Sequence, residues 1–235
     1  MPRADAPRPA PPPEASDPPP RGLLLAAAGW VLLSLLIAYG LRPPILPLAS
    51  TYAPAARLAL ITMLAGALIG WPLLRLSQRP AERPIRRTLL DLVVLVGALQ
   101  VTLWPLRLAA AWPIGRTVAI DGWCVGWMLA AATCPILGGR LRSHAARTSM
   151  MAVLLAVLAG PPMLAPWLLP GRDTAAIASD PVAWASPFGG LARLAAPGRL
   201  DLLEIERTAA LAALGAGVVL ATTAAAIVSI VRDRR

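Results

Sequence analysis

The chain has 235 residues, of which 57% are hydrophobic and only 14% are charged, and its formal net charge is +10. This composition lies far outside the range of soluble globular domains and indicates a membrane protein. All 22 basic residues are arginines. A phosphate-loop lysine and a Schiff-base lysine are therefore excluded, and we do not expect this chain to hydrolyse nucleotides by itself.

The chain begins with a proline-rich leader of mixed charge, MPRADAPRPAPPPEASDPPPR. A segment of this composition cannot bury a hydrophobic core. We therefore expect residues 1–21 to form a disordered or polyproline-like cytoplasmic tail. Residues 22–235 are then expected to form one all-α membrane domain.

Six apolar blocks follow the leader, at 22–41, 56–74, 89–106, 117–137, 148–169 and 208–231. Each has close to the ~20 residues that a helix needs to cross ~30 Å of hydrocarbon. The sequence therefore predicts six transmembrane helices. The first block ends in the small-x-small pattern Ala38-Tyr39-Gly40, which also suits a signal peptide. Its apolar run is longer than that of a signal peptide, so we expect an uncleaved helix.

The arginines indicate the orientation, because short arginine-rich loops are retained on the cytoplasmic side. The strongest cluster, RLSQRPAERPIRR, follows the second block and carries Arg75, Arg79, Arg83, Arg86 and Arg87. It predicts that both termini are cytoplasmic in a multi-pass protein of the cytoplasmic (inner) membrane. The longest connection, 171–207, is then extracytoplasmic.

Small residues recur at every fourth position in three of the blocks. In lipid, helices associate through close backbone approach at such residues. The candidates for helix packing are Gly66, Gly70, Gly122, Gly126, Ala130, Ala213, Gly217, Ala221 and Ala225. We expect them to pack helices within one bundle, and a homodimer seam is the alternative.

An ionisable residue inside a membrane helix is a candidate functional residue. Asp91 is expected in the first turn of the third helix, at the inner interface beside the arginines that precede it. Asp121 is expected at the outer end of the fourth helix, with Arg107 as its partner. The one histidine, His144, has no acid or cysteine nearby in sequence, so no metal, cofactor or catalytic site is predicted.

A short amphipathic segment lies within the predicted extracytoplasmic loop, at SPFGGLARLA. Phe188, Leu191 and Leu194 recur at helical spacing, with Arg193 on the opposite side. This pattern predicts a short helix that lies in the outer membrane interface. Its diagnostic residues are Ser186, Pro187, Phe188 and Leu191.

The outline of the chain resembles the permease subunits of ABC-2 type exporters. In that family the final helix is commonly preceded by Ser or Asn, then Pro, then Phe, Leu or Val, with Leu three residues later, and SPFGGL fits this pattern. The resemblance implies a dimerising membrane subunit without a cofactor that couples to a separate ATPase through the arginine-rich loop. It also implies outward movement of a hydrophobic or lipid-like substrate.

Two other function classes stay open. A non-transporting scaffold or accessory subunit would use its small-residue helices to bind partners, and a membrane enzyme has little support because no catalytic motif is found. The arginines lie at the ends of the apolar blocks, where they contact lipid headgroups. We therefore expect the lipid bilayer as a partner, and no nucleic acid.

Overall fold

The computed structural model describes residues 21–40, 49–78, 83–141, 143–168, 184–196 and 204–233. Every regular element in these residues is helical, which confirms the predicted all-α class. Residues 1–20 of the predicted tail and most of the predicted 171–207 loop lie outside the described residues.

The described residues form the following helical elements, in chain order. They are α1 (Arg21–Tyr39), α2 (Ala49–Ala65), a π-helical turn (Gly66–Gly70), α3 (Trp71–Ser77), α4 (Pro84–Ala110), α5 (Ile114–Gly138), α6 (His144–Leu168), α7 (Pro187–Leu194) and α8 (Glu204–Asp233). The helix α2, the π-helical turn and α3 follow one another without a break. Thr51–Ser77 therefore forms one continuous span, which we call the second span.

Five helical stretches in the described residues are long and apolar enough to cross a membrane. They are Arg21–Tyr39, Thr51–Ser77, Pro84–Ala110, Ile114–Gly138 and Glu206–Ile230. In α6 the described side chains form a shorter apolar stretch, His144–Leu158. Large apolar side chains such as Leu25, Val101 and Leu108 are more than 70% exposed. A surface of this kind is solvated by lipid, as expected for an integral membrane protein.

The helix boundaries differ from the apolar blocks, most clearly in α4. This helix begins at Pro84, five residues before the predicted block, because proline is well tolerated in a first turn where its missing N–H has no partner. It ends at Ala110, and Ala111 takes a left-handed conformation with φ of 53°. Since α5 begins at Ile114, α4 and α5 form a tight antiparallel hairpin.

The π-helical turn lies where α1 packs against the second span. The backbone N–H of Trp71 donates to the carbonyl of Gly66, and Pro72 has no N–H to continue the normal ladder. The indole of Trp30 covers Gly66 so closely that a side chain at this position would overlap it. Trp30 Nε1 also donates to the carbonyl oxygen of Thr62 at 2.9 Å. This contact attaches α1 to the rest of the bundle.

The most extensive helix contact joins α5 and α8. At its centre the two backbones touch. A Cβ atom on Gly126 would lie 2.5 Å from the backbone of Ala213, and one on Gly217 would overlap the carbonyl oxygen of Gly126. This crossing lies within one chain and requires glycine on both helices.

The other small residues at the same spacing take different places. Gly66 lies under Trp30, whereas the Cβ positions of Gly70 and Gly122 point into open space. Four alanines are half-buried: Ala130, Ala213, Ala221 and Ala225. The four-residue spacing therefore indicates helices with a face of small residues, and only some of these residues make close contacts.

We predict that Gly217→Leu destabilises the protein, because its side chain would force the α5 and α8 backbones apart. Overpacking of this kind costs at least about 1 kcal/mol, which corresponds to a melting temperature lower by about 3 °C or more. Gly215→Leu is the matched control, since the Cβ position of Gly215 has no neighbour within 4 Å. Equal melting temperatures of the two variants in detergent would contradict the crossing.

Candidate functional site

A buried charged pair joins the second span to α4. The carboxylate of Asp91 is 1% exposed and forms a bidentate salt bridge with Arg75, whose Nε and Nη2 both donate to it. The same carboxylate accepts a hydrogen bond from Trp71 Nε1 at 3.0 Å. Three donors from one helical face therefore compensate a carboxylate that would otherwise be very costly in an apolar environment.

The location of Asp91 corrects the sequence prediction. Because α4 begins at Pro84, Asp91 lies about two turns inside the helix rather than in its first turn. Its partner is Arg75 on the preceding helix, whereas the neighbouring Arg86 and Arg87 are exposed. The acid therefore links two helices near one end of the bundle.

Further polar groups surround this pair in what we call the arginine cluster, which consists of Arg75, Gln78, Arg87 and Arg147. Arg75 Nη1 and Arg87 Nη2 donate to Gln78 Oε1 at 2.7 and 3.3 Å. Arg147 Nη1 donates to the carbonyl oxygen of Gln78 at 3.1 Å, and its Nε donates to that of Leu141 at 2.8 Å. The cluster lines a cavity of about 30 Å³, which has room for about one water molecule.

The arginines of the arginine-rich loop, which the resemblance assigns to contact with a partner, do not all face the same way in the structure. Arg75 points inward, with 9% of its side chain exposed. Arg83 is exposed just before α4, and Arg86 and Arg87 are exposed in its first turn. Arg79 lies outside the described residues.

A larger, apolar cavity of about 460 Å³ lies on the other side of Trp71. We call it the apolar groove, and its walls come from α1, the second span, α4 and one residue of α5. Its lining includes Leu23, Trp30, Met63, Gly70, Leu74, Leu99 and Met128. From Met63 to Leu74 the second span rises about 16 Å, which is about half of the ~30 Å hydrocarbon thickness. The groove is therefore about one leaflet deep.

The segment SPFGGL forms the short helix α7, as the sequence predicts, but this helix is largely buried against α5. Trp123 Nε1 donates to the carbonyl oxygen of Pro187 at 2.8 Å, and its ring lies over Gly190. Leu191 is fully buried. Phe188 is half-buried and Ser186 is 1% exposed. The helix therefore contributes to the core of the bundle.

Two aromatic contacts stabilise the same end of α5. The rings of Trp123 and Trp184 meet edge to face at 5.5 Å between centroids. The guanidinium of Arg193 lies over Trp184 at 5.4 Å from the ring centroid. These geometries are those of favourable aromatic and cation–π contacts.

The predicted pair of Asp121 and Arg107 is not formed in the described part of the chain. Asp121 Oδ1 accepts a hydrogen bond from Gln100 Nε2 at 2.7 Å, and Arg107 Nε donates to the carbonyl oxygen of Trp112 at 3.1 Å. The hairpin geometry explains the difference, because residues at similar distances from the turn lie level with each other. Asp121 is two turns into α5, whereas Arg107 is in the last turn of α4.

The polar site includes three residues that the sequence did not predict, namely Trp71, Gln78 and Arg147. A signal for Trp71 was present, since it precedes Arg75 by four residues and therefore lies on the same helical face. Gln78 follows Arg75 by three residues, but its backbone carbonyl binds Arg147, which is 69 residues away in the chain. No local pattern indicates such contacts.

No protein-family model, curated protein or solved structure matches the chain. The functional assignment therefore depends on the residues of this chain alone. Among its described residues, no three His, Cys, Asp or Glu side chains are grouped as metal ligands.

We predict that Asp91→Asn destabilises the protein by about 3 kcal/mol or more, because it leaves the buried Arg75 without a counter-charge. The matched control is Asp121→Asn, which removes the same charge from a half-buried site with a neutral partner. The free energy of unfolding in mixed micelles measures both. A smaller loss for Asp91→Asn than for Asp121→Asn would contradict the role of the pair.

Proposed function

We propose that the chain is the six-helix membrane-spanning permease subunit of an ABC-type exporter in the cytoplasmic membrane. In this proposal a separate ATPase drives the outward movement of a hydrophobic or lipid-like substrate. The apolar groove is the observation that carries the proposal, because it offers a one-leaflet-deep apolar cavity beside a charged helix end. An apolar molecule dissolved in that leaflet enters such a cavity without crossing water.

The length of α6 supports a sixth crossing. This helix runs from His144 to Leu168, and at 1.5 Å per residue its 25 residues measure about 37 Å, more than the ~30 Å of hydrocarbon. Six crossings bring both termini to the side of the arginine-rich α3–α4 connection. That side is cytoplasmic by the charge rule.

Two further features support a partner ATPase. The chain has no lysine, so nucleotide hydrolysis must come from another subunit. Arg83, Arg86 and Arg87 are exposed at the end of the bundle that the proposal assigns to the cytoplasm. A cytoplasmic subunit can bind there without entering the membrane.

A non-transporting accessory subunit is the second candidate. It is favoured by the pairing of polar side chains within the spans, since Gln100 bridges Asp121 and Trp104 and Arg75 is bound to Asp91. Side chains that satisfy one another in this way stabilise a bundle rather than bind a cargo. In this case the groove would hold lipid without moving it.

We predict that an ATPase co-purifies with the full-length chain from native membranes in mild detergent. Its ATP hydrolysis should rise several-fold when the chain is present. The combined variant Arg83→Ala, Arg86→Ala and Arg87→Ala should lose this stimulation, and Arg207→Ala near the start of α8 is the matched control. Hydrolysis that is the same with and without the chain would favour the accessory subunit.

We also predict that the residue before α4 and the residues after α6 lie on opposite sides of the membrane. A membrane-impermeant maleimide should label Arg83→Cys only from the cytoplasmic side and Ala185→Cys only from outside. Ala185 is exposed, whereas its neighbour Ser186 is too buried for labelling. The native Cys124 and Cys134 are buried and give little background.

Labelling of both positions from one side would mean that an even number of helices separates them. In that case α6 does not cross the membrane, and the six-helix topology is wrong. Labelling of Arg83→Cys only from outside would reverse the orientation.

A further inference from the structure

The arginine cluster carries more positive than negative charge. Asp91 compensates Arg75 through the bidentate salt bridge. Arg87 donates to the neutral side-chain oxygen of Gln78, and Arg147 donates to backbone carbonyl oxygens. Neither Arg87 nor Arg147 forms a salt bridge with a described residue. The described residues of the cluster therefore carry two positive charges beyond the one that Asp91 compensates, and such charges attract an anion.

The cluster lies at one end of the bundle. Arg75 is in the last turn of α3, Arg87 is in the first turn of α4 and Arg147 is in the first turn of α6. Helix ends of spanning segments meet lipid headgroups, and basic pockets between such ends bind anionic headgroups. The cavity inside the cluster has room for about one water, so a phosphate group would bind at its mouth, against the exposed Arg87.

The apolar groove begins next to the cluster. Leu74 lines the groove, and Arg75, the next residue, lines the cluster cavity. Trp71 joins the two, because it lines the groove and its Nε1 donates to Asp91. The arginine cluster and the apolar groove are therefore adjacent along α3. This arrangement matches an amphiphile, which has a charged headgroup and an apolar chain.

The dimensions of the groove fit one acyl chain. Its volume of about 460 Å³ holds about fifteen groups of the size of a water or methylene, at ~30 Å³ each. Its depth of about one leaflet matches the reach of a chain whose headgroup stays at the interface. Its lining is almost entirely apolar, and Gly70 leaves open space where a side chain would fill it.

We propose that the chain binds one anionic phospholipid, with its phosphate against Arg87 and Arg147 and one acyl chain in the apolar groove. This site does not depend on the exporter function, since an accessory subunit would bind the same lipid. A zwitterionic lipid fills the groove but lacks the net charge that the cluster attracts. A soluble phosphate matches the cluster but leaves the groove empty.

The experiment counts the phospholipids retained by the full-length chain. The protein is reconstituted into vesicles of phosphatidylglycerol and phosphatidylcholine, extracted in mild detergent and analysed by native mass spectrometry. We expect one phosphatidylglycerol per chain, retained in preference to phosphatidylcholine. Arg87→Gln should lower its retention about tenfold, as expected for the loss of one charged hydrogen-bond donor. Arg86→Gln is the matched control, because Arg86 is an exposed neighbour outside the cluster cavity.

A second pair of variants tests the groove independently of charge. Gly70→Phe should lower retention to a similar extent, because its ring fills the groove. Gly97→Phe is its control, since the Cβ position of Gly97 is also open but the residue does not line the groove. Melting temperatures measured in parallel identify a variant that has lost its fold, and the other variant then decides.

Three outcomes would overturn the proposal. Equal retention by Arg87→Gln and Arg86→Gln, or by Gly70→Phe and Gly97→Phe, would mean that lipid binds the surface without a site. Equal retention of phosphatidylcholine would mean that charge is not recognised. Displacement by excess inorganic phosphate, with Gly70→Phe unchanged, would identify the cluster as a site for a soluble anion.

Discussion

The close approach of α5 and α8 at Gly126 and Gly217 is the contact on which the bundle depends. Between helices in lipid there is no hydrophobic driving force, so association requires dense van der Waals contact and hydrogen bonds. Touching backbones supply the densest contact that two helices can make. The other face of α5 is then available to α4, α7 and α3. With 56% of its spanning window buried, against 17% for α8, α5 is the central helix of the described bundle.

The polar contacts add a second constraint, which fixes the rotation of the helices. Asp91 must face Arg75, and Asp121 must face Gln100, because each would otherwise leave a polar group unpaired in an apolar environment. These two contacts lie about two and a half turns apart on α4 and hold it against its neighbours on both sides. The region between α1 and α4 is lined by apolar side chains.

The apolar groove follows from this arrangement. The span of α1 has only 17% of its residues buried, and a tryptophan contact over Gly66 attaches it to the second span. One helical turn further along the second span, Gly70 and the small side chains of α1 leave a gap between α1 and α4. The gap is lined by Trp71, whose Nε1 donates to Asp91 in the salt bridge with Arg75. The apolar groove and the arginine cluster together form an amphiphilic site, whereas each of them alone is either apolar or charged.

Sequence alone gives the class and most of the spans, because long apolar runs and arginine-rich ends depend on composition. It does not give the contacts. Gly70 has the same spacing as Gly126 but faces open space, since spacing does not specify how a helix is rotated. Asp91 lies among nearby arginines in the sequence, yet its partner is 16 residues away across a turn. Such pairs depend on helix boundaries, and these shift where proline begins a helix.

The most direct measurement is an experimental structure of the full-length chain in lipid nanodiscs, with an antibody fragment bound for size. We expect the backbones of α5 and α8 to touch within one chain at Gly126 and Gly217. A layer of side chains between these helices, or α8 packed against a second copy instead, would contradict it.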